Sequence, residues 1–156
     1  MTSHLSNFTA IIENSNCLIS DHLIPVHLQQ FGLVKSIKQI CNQIKNQIRF
    51  NVRVIGNPDI LSKQLSIVIY RIAQELITNV AKHSECTTCT IHLKTSQEYV
   101  AFKIHDNGNG MYVPESRMNG IGLLSTIIKV ELLNGRIEIN AVRGEGMTIN
   151  IKIPLL

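Results

Sequence analysis

Four residues in one apolar-periodic stretch have types that suit phosphate chemistry. Glu75, Asn79, Lys82 and His83 fall at i, i+4, i+7 and i+8, so on a helix they share one face. At about 100° per residue that face lies beside the stripe Leu65, Val68, Ile69, Ile72, Leu76 and Val80, not opposite it. An acid, an amide and two potential cations at the edge of a core either line a cavity or form a solvated boundary with a Glu–Lys pair. The helix alone does not choose between these.

Three glycine-bearing segments follow. Asp106-Asn107-Gly108-Asn109-Gly110 comes directly after an alternating stretch, and glycines two apart let the backbone turn sharply and approach a ligand. As a plain turn it is equally ordinary, because Asp, Asn and Gly dominate turns. Asn119-Gly120-Ile121-Gly122-Leu123 opens a further helix, where free N–H groups and the positive dipole end favour phosphate. It is not a dinucleotide fingerprint, since Ser125 stands where the third glycine belongs and no strand precedes it. With no Gly-Lys pair anywhere, a P-loop is excluded. Gly144-Glu145-Gly146-Met147-Thr148 lies at the mouth of the last strand and by itself reads as a hairpin loop.

The elements that must position these residues can be read from periodicity. Residues 1 to about 24 form a weak helical pattern ending near Pro25, and Leu33 to Ile48 repeats at helical spacing. Phe50 to Ile55 alternates, and Gly56-Asn57-Pro58-Asp59 is a turn with a helix-start signal. The longest helix is expected from about Leu61 to His83. Strands are expected at Thr90–Lys94, Tyr99–Ile104, Arg136–Asn140 and Thr148–Ile153. The helix after Gly122 should stop at Asn134-Gly135. One amphipathic face per element implies an α+β fold of two layers, with a mixed, mostly antiparallel sheet and about three helices on one of its faces.

Bulk properties narrow the function classes. A length of 156 residues allows one domain plus a short extension. A net charge of +4, with no Lys/Arg cluster interleaved with aromatics, does not argue for nucleic acid. No apolar run is long enough to span a bilayer and no signal peptide opens the chain, so a cytoplasmic location without direct membrane contact is expected, any anchor lying outside this chain. Cys86 and Cys89 have the spacing of a redox or zinc pair, but no second pair completes a metal site; with Cys17 and Cys41 they read as reduced thiols.

Taken in fixed order, E-x-x-x-N-x-x-K-H, D-x-G-x-G, N-G-x-G-L and G-x-G-x-T resemble the GHKL superfamily of gyrase-type topoisomerases, heat-shock chaperones, histidine kinases and mismatch-repair ATPases. The resemblance covers the chain from about residue 25 and implies its shared ATP site, the Bergerat fold. Within it the likeness is greatest to sensor histidine kinases of the group whose response regulators carry a helix-turn-helix output domain. Tyr70-Arg71-Ile72-Ala73-Gln74-Glu75 with Asn79 and Lys82-His83, the junction Leu23-Ile24-Pro25 with Phe31-Gly32-Leu33, and the ending Ile151-Lys152-Ile153-Pro154-Leu155 carry that likeness.

The resemblance implies two domains: residues 1–24 as the end of a dimerisation helix, and 25–156 as the ATP-binding catalytic domain. It implies ATP and Mg²⁺ as cofactors, with Asn79 on the metal and Glu75 orienting the attacking group. Lys82 and His83 would lie near the phosphates, and Asp106 would accept from the adenine amino group. Gly108 and Gly110 would leave room for the base, Gly120 and Gly122 would let a short lid over residues 111–119 close over the phosphates, and Ile121 and Leu123 are counted with the ATP-binding residues. That lid begins at Met111 and carries Arg117 toward the γ-phosphate. Gly146 and Thr148 are counted with the ATP-binding residues. The implied partners are a dimerisation and phosphoacceptor domain and a response regulator.

Two departures stand out. The family's usual Thr after the last glycine pair is replaced by Met147, with Thr148 one step later and so on the other strand face. No E-L-H-D-like helix is present, and His4, His22 and His27 lack that context, so the acceptor His is expected in another segment or chain. An anti-sigma-type serine kinase and a degenerate nucleotide-sensing or docking module remain as alternatives.

Overall fold

A computed structural model describes residues 24–44, 48–110 and 121–156. All but the last residue of the weak helical segment expected over residues 1–24, and the lid segment 111–119, therefore lie outside the described residues.

Helix α1 spans Val26–Gln43 and is broken at Gly32, whose φ of 81° and ψ of 175° only glycine adopts readily. The turns after the break are the periodic segment read from Leu33 onward. Its buried positions Leu33, Ile37, Ile40 and Cys41 keep the 3–4 spacing, and Ser36 donates to the Gly32 carbonyl at 2.7 Å. Strand β1 (Arg49–Ile55) follows. The start signal at Asn57 proves to cap a short 3₁₀ turn, Pro58–Ile60, through its side-chain oxygen. The long helix α2 (Lys63–His83) begins two residues later than expected, because Ser62 accepts from the Leu65 N–H at 3.2 Å and caps it.

Strands β2 (Thr88–Thr95) and β3 (Tyr99–Asp106) form a hairpin, helix α3 runs Ile121–Leu132, and β4 (Arg136–Val142) and β5 (Gly146–Pro154) form a second hairpin. Asn134, with φ of 55°, terminates α3, and the Gly135 N–H returns to the Val130 carbonyl. The sheet order is β1-β2-β3-β5-β4. Only the β1–β2 pairing is parallel; the three others are antiparallel, so the sheet is mixed as expected.

The three helices of the described residues cover one sheet face. Ile69, Ile72, Leu76, Ile77 and Val80 of α2 are buried against Ile91, Leu93, Phe102, Ile104, Ile149 and Ile151 of the sheet. Aliphatic burial at about 25 cal/mol per Å² is the main force holding the layers together. With aromatics at 4% of the chain, Phe102 is the only buried Phe among the described residues.

Candidate functional site

Helix α2 carries the polar face that the spacing implied. Glu75 and Asn79 lie one turn apart and are half-buried, while Lys82 and His83 are exposed in the last turn. The Lys82 cation there also complements the helix dipole. The start of α3 meets this face: a Cβ on Gly122 would overlap the Glu75 carboxylate. Between the two helices opens a cleft of about 290 Å³ lined by Arg71, Gln74, Glu75, Thr78, Gly122, Ser125, Thr126 and Lys129. Within it Arg71 donates to Gln74 at 3.1 Å. Sequence reading passed over Arg71 and Lys129 as site residues, although Arg71 lies four residues before Glu75 and so on the same helical face.

The second half of the site is built at the end of β3. The sequence put Asp106 in the loop after the strand, but it is the last residue of β3, paired with Cys89 on one side and Met147 on the other. Pairing on both sides fixes its direction. Its side chain is 1% exposed and accepts from the Gly108 N–H at 2.9 Å. Burial pushes its carboxyl above the usual carboxylate range, opposed by that hydrogen bond and, more weakly, by His105 and the Met147 N–H. A buried carboxylate with spare acceptor capacity suits an amine donor from a ligand.

The loop after Asp106 is tied down on every side. Asn107 accepts through its side-chain oxygen from the Thr87 and Thr88 N–H groups at 3.0 and 2.9 Å, and donates to the Thr87 hydroxyl. The Asn109 N–H donates to the Ser84 carbonyl at 2.9 Å, and its side chain donates to Glu85. Its carbonyl accepts from Gly144 at 2.8 Å, joining the loop to the β4–β5 turn.

The glycines are accounted for by these close approaches. A Cβ on Gly108 would strike the Ser84 carbonyl, on Gly110 the Val142 carbonyl, and on Gly146 the carbonyl of Asp106. Gly110 and Gly146 also have φ of 55° and 97°. The loop thus docks on the C-terminal end of α2, bringing Asp106, Gly108, Gly110 and Gly146 to the end of the helix that carries Lys82 and His83.

Some expected residues are elsewhere. Thr148 points to the opposite sheet face, where its hydroxyl is 2.8 Å from His105 Nδ1, because one strand step inverts the side chain. Met147 takes the place beside Asp106 instead and packs against the core. Leu123 likewise packs against the core. Met111, Arg117 and Gly120 lie outside the described residues, and Ile121 enters only as the first backbone position of α3. Cys41, Cys86 and Cys89 are buried free thiols; burial raises Cys41 to about 11 and pushes Cys86 and Cys89 upward too, as inert core cysteines require. Among the described residues no group of three His, Cys, Asp or Glu could hold a metal ion, and no helix is long and apolar enough to cross a membrane.

Residues 64–156 match the family described as histidine kinase-, DNA gyrase B- and HSP90-like ATPases. The chain is 29% identical over 139 residues to the signal transduction histidine-protein kinase/phosphatase DegS of Bacillus subtilis, covering 84% of this chain and 36% of that protein. It is 26% identical over 134 residues to the sensor histidine kinase LiaS of the same organism, covering 86% of this chain and 37% of LiaS. This chain therefore spans little more than a third of the curated relatives it matches. The histidine kinase domain of the Erythrobacter litoralis EL346 blue-light activated kinase superposes with a TM-score of 0.62 at 20% identity, covering 80% of this chain and 59% of that one, a likeness of fold. A family match over more than half the chain, on the expected two-layer fold and motif order, makes this chain a member of the histidine kinase-, DNA gyrase B- and HSP90-like ATPase family.

Proposed function

We propose that this chain binds Mg-ATP and donates the γ-phosphoryl group to a histidine carried on a dimerisation domain, as the catalytic part of a two-component sensor kinase. The observation that carries this reading is the docking of the Asp106 loop on the end of α2. It joins a buried carboxylate to a helix face that carries an acid, an amide, a lysine and a histidine. Curated relatives that are histidine kinases support this acceptor chemistry over a serine kinase.

The donor set fits a magnesium ion that keeps most of its waters. No all-protein cage exists among the described residues, while the half-buried Asn79 offers one neutral oxygen, the modest anchoring that suits magnesium held chiefly by phosphate oxygens. When bound, the ion would neutralise phosphate charge during transfer. Asn79 would hold it, Lys82 and His83 would attract the polyphosphate from the exposed last turn, and Asp106 would select an amine-bearing base. Glu75, held against Gly122, would orient the incoming imidazole or its proton. In the transfer a nitrogen–phosphorus bond forms on the acceptor imidazole, the bond from the γ-phosphorus to the bridging oxygen breaks, ADP leaves, and the imidazole proton is released. Positioning and charge neutralisation supply the catalysis. The response regulator would then take the phosphoryl group, in the cytoplasm.

Calorimetric titration with a non-hydrolysable ATP analogue tests the nucleotide half. Asp106→Asn should weaken binding roughly 10- to 100-fold through loss of a charge-assisted hydrogen bond. Asn79→Asp should remove the advantage that Mg²⁺ confers. Wild-type affinity in both variants would sink the reading. Incubation with ATP and a separate His-bearing dimerisation segment tests the transfer half, which requires an acid-labile phosphohistidine on that segment.

A further inference from the structure

The sheet face turned away from the helices is organised by charge. One cross-strand row runs Arg53, His92, Lys103, Asn150, Glu138, so three basic side chains occupy adjacent partner positions on β1, β2 and β3. The next row pairs Lys152 directly with Arg136, with Lys94 one strand beyond Ala101. With Arg49, the strand residues of this face hold six Lys or Arg against the single carboxylate of Glu138, an excess of five that exceeds the net +4 of the whole chain. The remainder of the molecule is therefore close to neutral.

Like charges directly opposite on a sheet are destabilising. His92 registers that repulsion: its pKa is lowered, first by burial and then by Arg53 and Lys103. Lys94 and Lys152 are partly compensated by the Tyr99 ring, whereas Arg53 and Lys103 flank His92 and would gain from a counter-charge brought by another molecule.

The rest of the face describes the counter-charge. Asn51, Thr90, His105, Thr148 and Asn140 form an adjoining row of short hydrogen-bonding groups, with Thr148 and His105 already 2.8 Å apart. Such fixed directional groups suit carboxylates held on another protein. The large exposed apolar side chains of this face, Ile55 and Val142, lie at its margins, and Ala101 is too small to act as a wedge, so a bilayer finds none to bury. The Tyr99 ring is already covered by Lys152 at 4.1 Å and faced by Lys94 at 5.6 Å, so it is not a free platform for stacking bases.

We infer that the open sheet face, centred on Arg53, Lys103 and Lys152, is a docking surface for an acidic protein surface. This is independent of the nucleotide reading, because none of these side chains is on the helix-covered face that carries Asp106.

The test is fluorescence anisotropy of the full chain with labelled oligoglutamate, repeated with phosphatidylserine vesicles and with single-stranded DNA. Arg53→Gln/Lys103→Gln removes two central charges; Lys35→Gln/Lys38→Gln on α1 removes the same charge elsewhere. Expected is salt-sensitive binding of oligoglutamate, weakened at least about tenfold by the sheet pair and less than about twofold by the α1 pair. The sheet pair should also melt no lower than wild type, since it relieves cross-strand repulsion. Equal losses in both pairs, no binding by the wild type, or tighter binding of vesicles or DNA than of oligoglutamate would each overturn the proposal. Nucleotide titration of the sheet pair should be unchanged.

Discussion

Asp106 couples function to stability through a single proton. Its carboxyl is buried, and among the described residues no cation is hydrogen-bonded to it, so burial raises its folded pKa above the unfolded value of about 3.9. A raised folded pKa means that the group supports folding most below the unfolded value, and that this support is lost as pH rises through the folded value. At neutral pH the charged carboxylate therefore opposes folding. Asp106→Asn keeps an oxygen for the Gly108 N–H and removes the charge. The variant should melt at higher temperature than wild type at pH 7, with the gap closing as pH falls to about 4. Thermal melts across that range check this. A variant that melts lower at pH 7 would mean that the carboxylate is a structural anchor and not a binding group kept at a cost.

At the scale of elements, the glycines divide into two kinds that the sequence could not tell apart. Gly122 stands against the far end of the Glu75 side chain, whereas Gly146 stands against backbone at Asp106 and has φ of 97°. Gly122→Ala can be accommodated by rotation of Glu75, so stability should change by less than about 1 kcal/mol while phosphotransfer falls at least about tenfold. Gly146→Ala meets an unyielding carbonyl in an unfavourable backbone region and should cost about 2 kcal/mol or more. Chemical denaturation beside a transfer assay separates the two, and the reverse pattern would remove Glu75 from the chemistry.

The same contrast marks what was legible in the residue string. The face of α2 and the strand alternation follow from periodicity, because each element buries one side. Ser62 displaced Asn57 as the cap of α2, and Asp106 joined β3, because both outcomes depend on hydrogen bonds to partners distant in sequence or competing locally. The approach of Gly108 to Ser84 and the Arg71–Lys129 cleft arise only when α2, α3 and the β3 loop are packed together. The inversion of Thr148 was readable from strand period alone; its bond to His105 was not.

At the scale of the whole molecule, α2 serves both layers at once: one side holds the core and an adjoining edge holds the site. Ile72 is 1% exposed and packs with Ile69 over Val100, Phe102, Ile151 and Ile153, where a small apolar gap already exists. Ile72→Ala enlarges that gap and should cost about 2–5 kcal/mol. For a chain of this size that lowers the melting temperature by roughly 5–20 °C. Glu75 and Asn79 are set by the helix backbone, and the loop of Asp106 is held by its own hydrogen bonds to Ser84, Thr87 and Thr88. Below its melting transition the variant should accordingly bind the ATP analogue within about threefold of wild type, since most of the loss is global stability and not local geometry. Parallel melting and titration at one temperature check both halves. A loss of affinity scaling with the loss of stability would instead mean that the helix shifts on the sheet when its core contact is trimmed, and that the two halves of the site are aligned by the sheet-facing packing of α2 as much as by the loop that docks on its end.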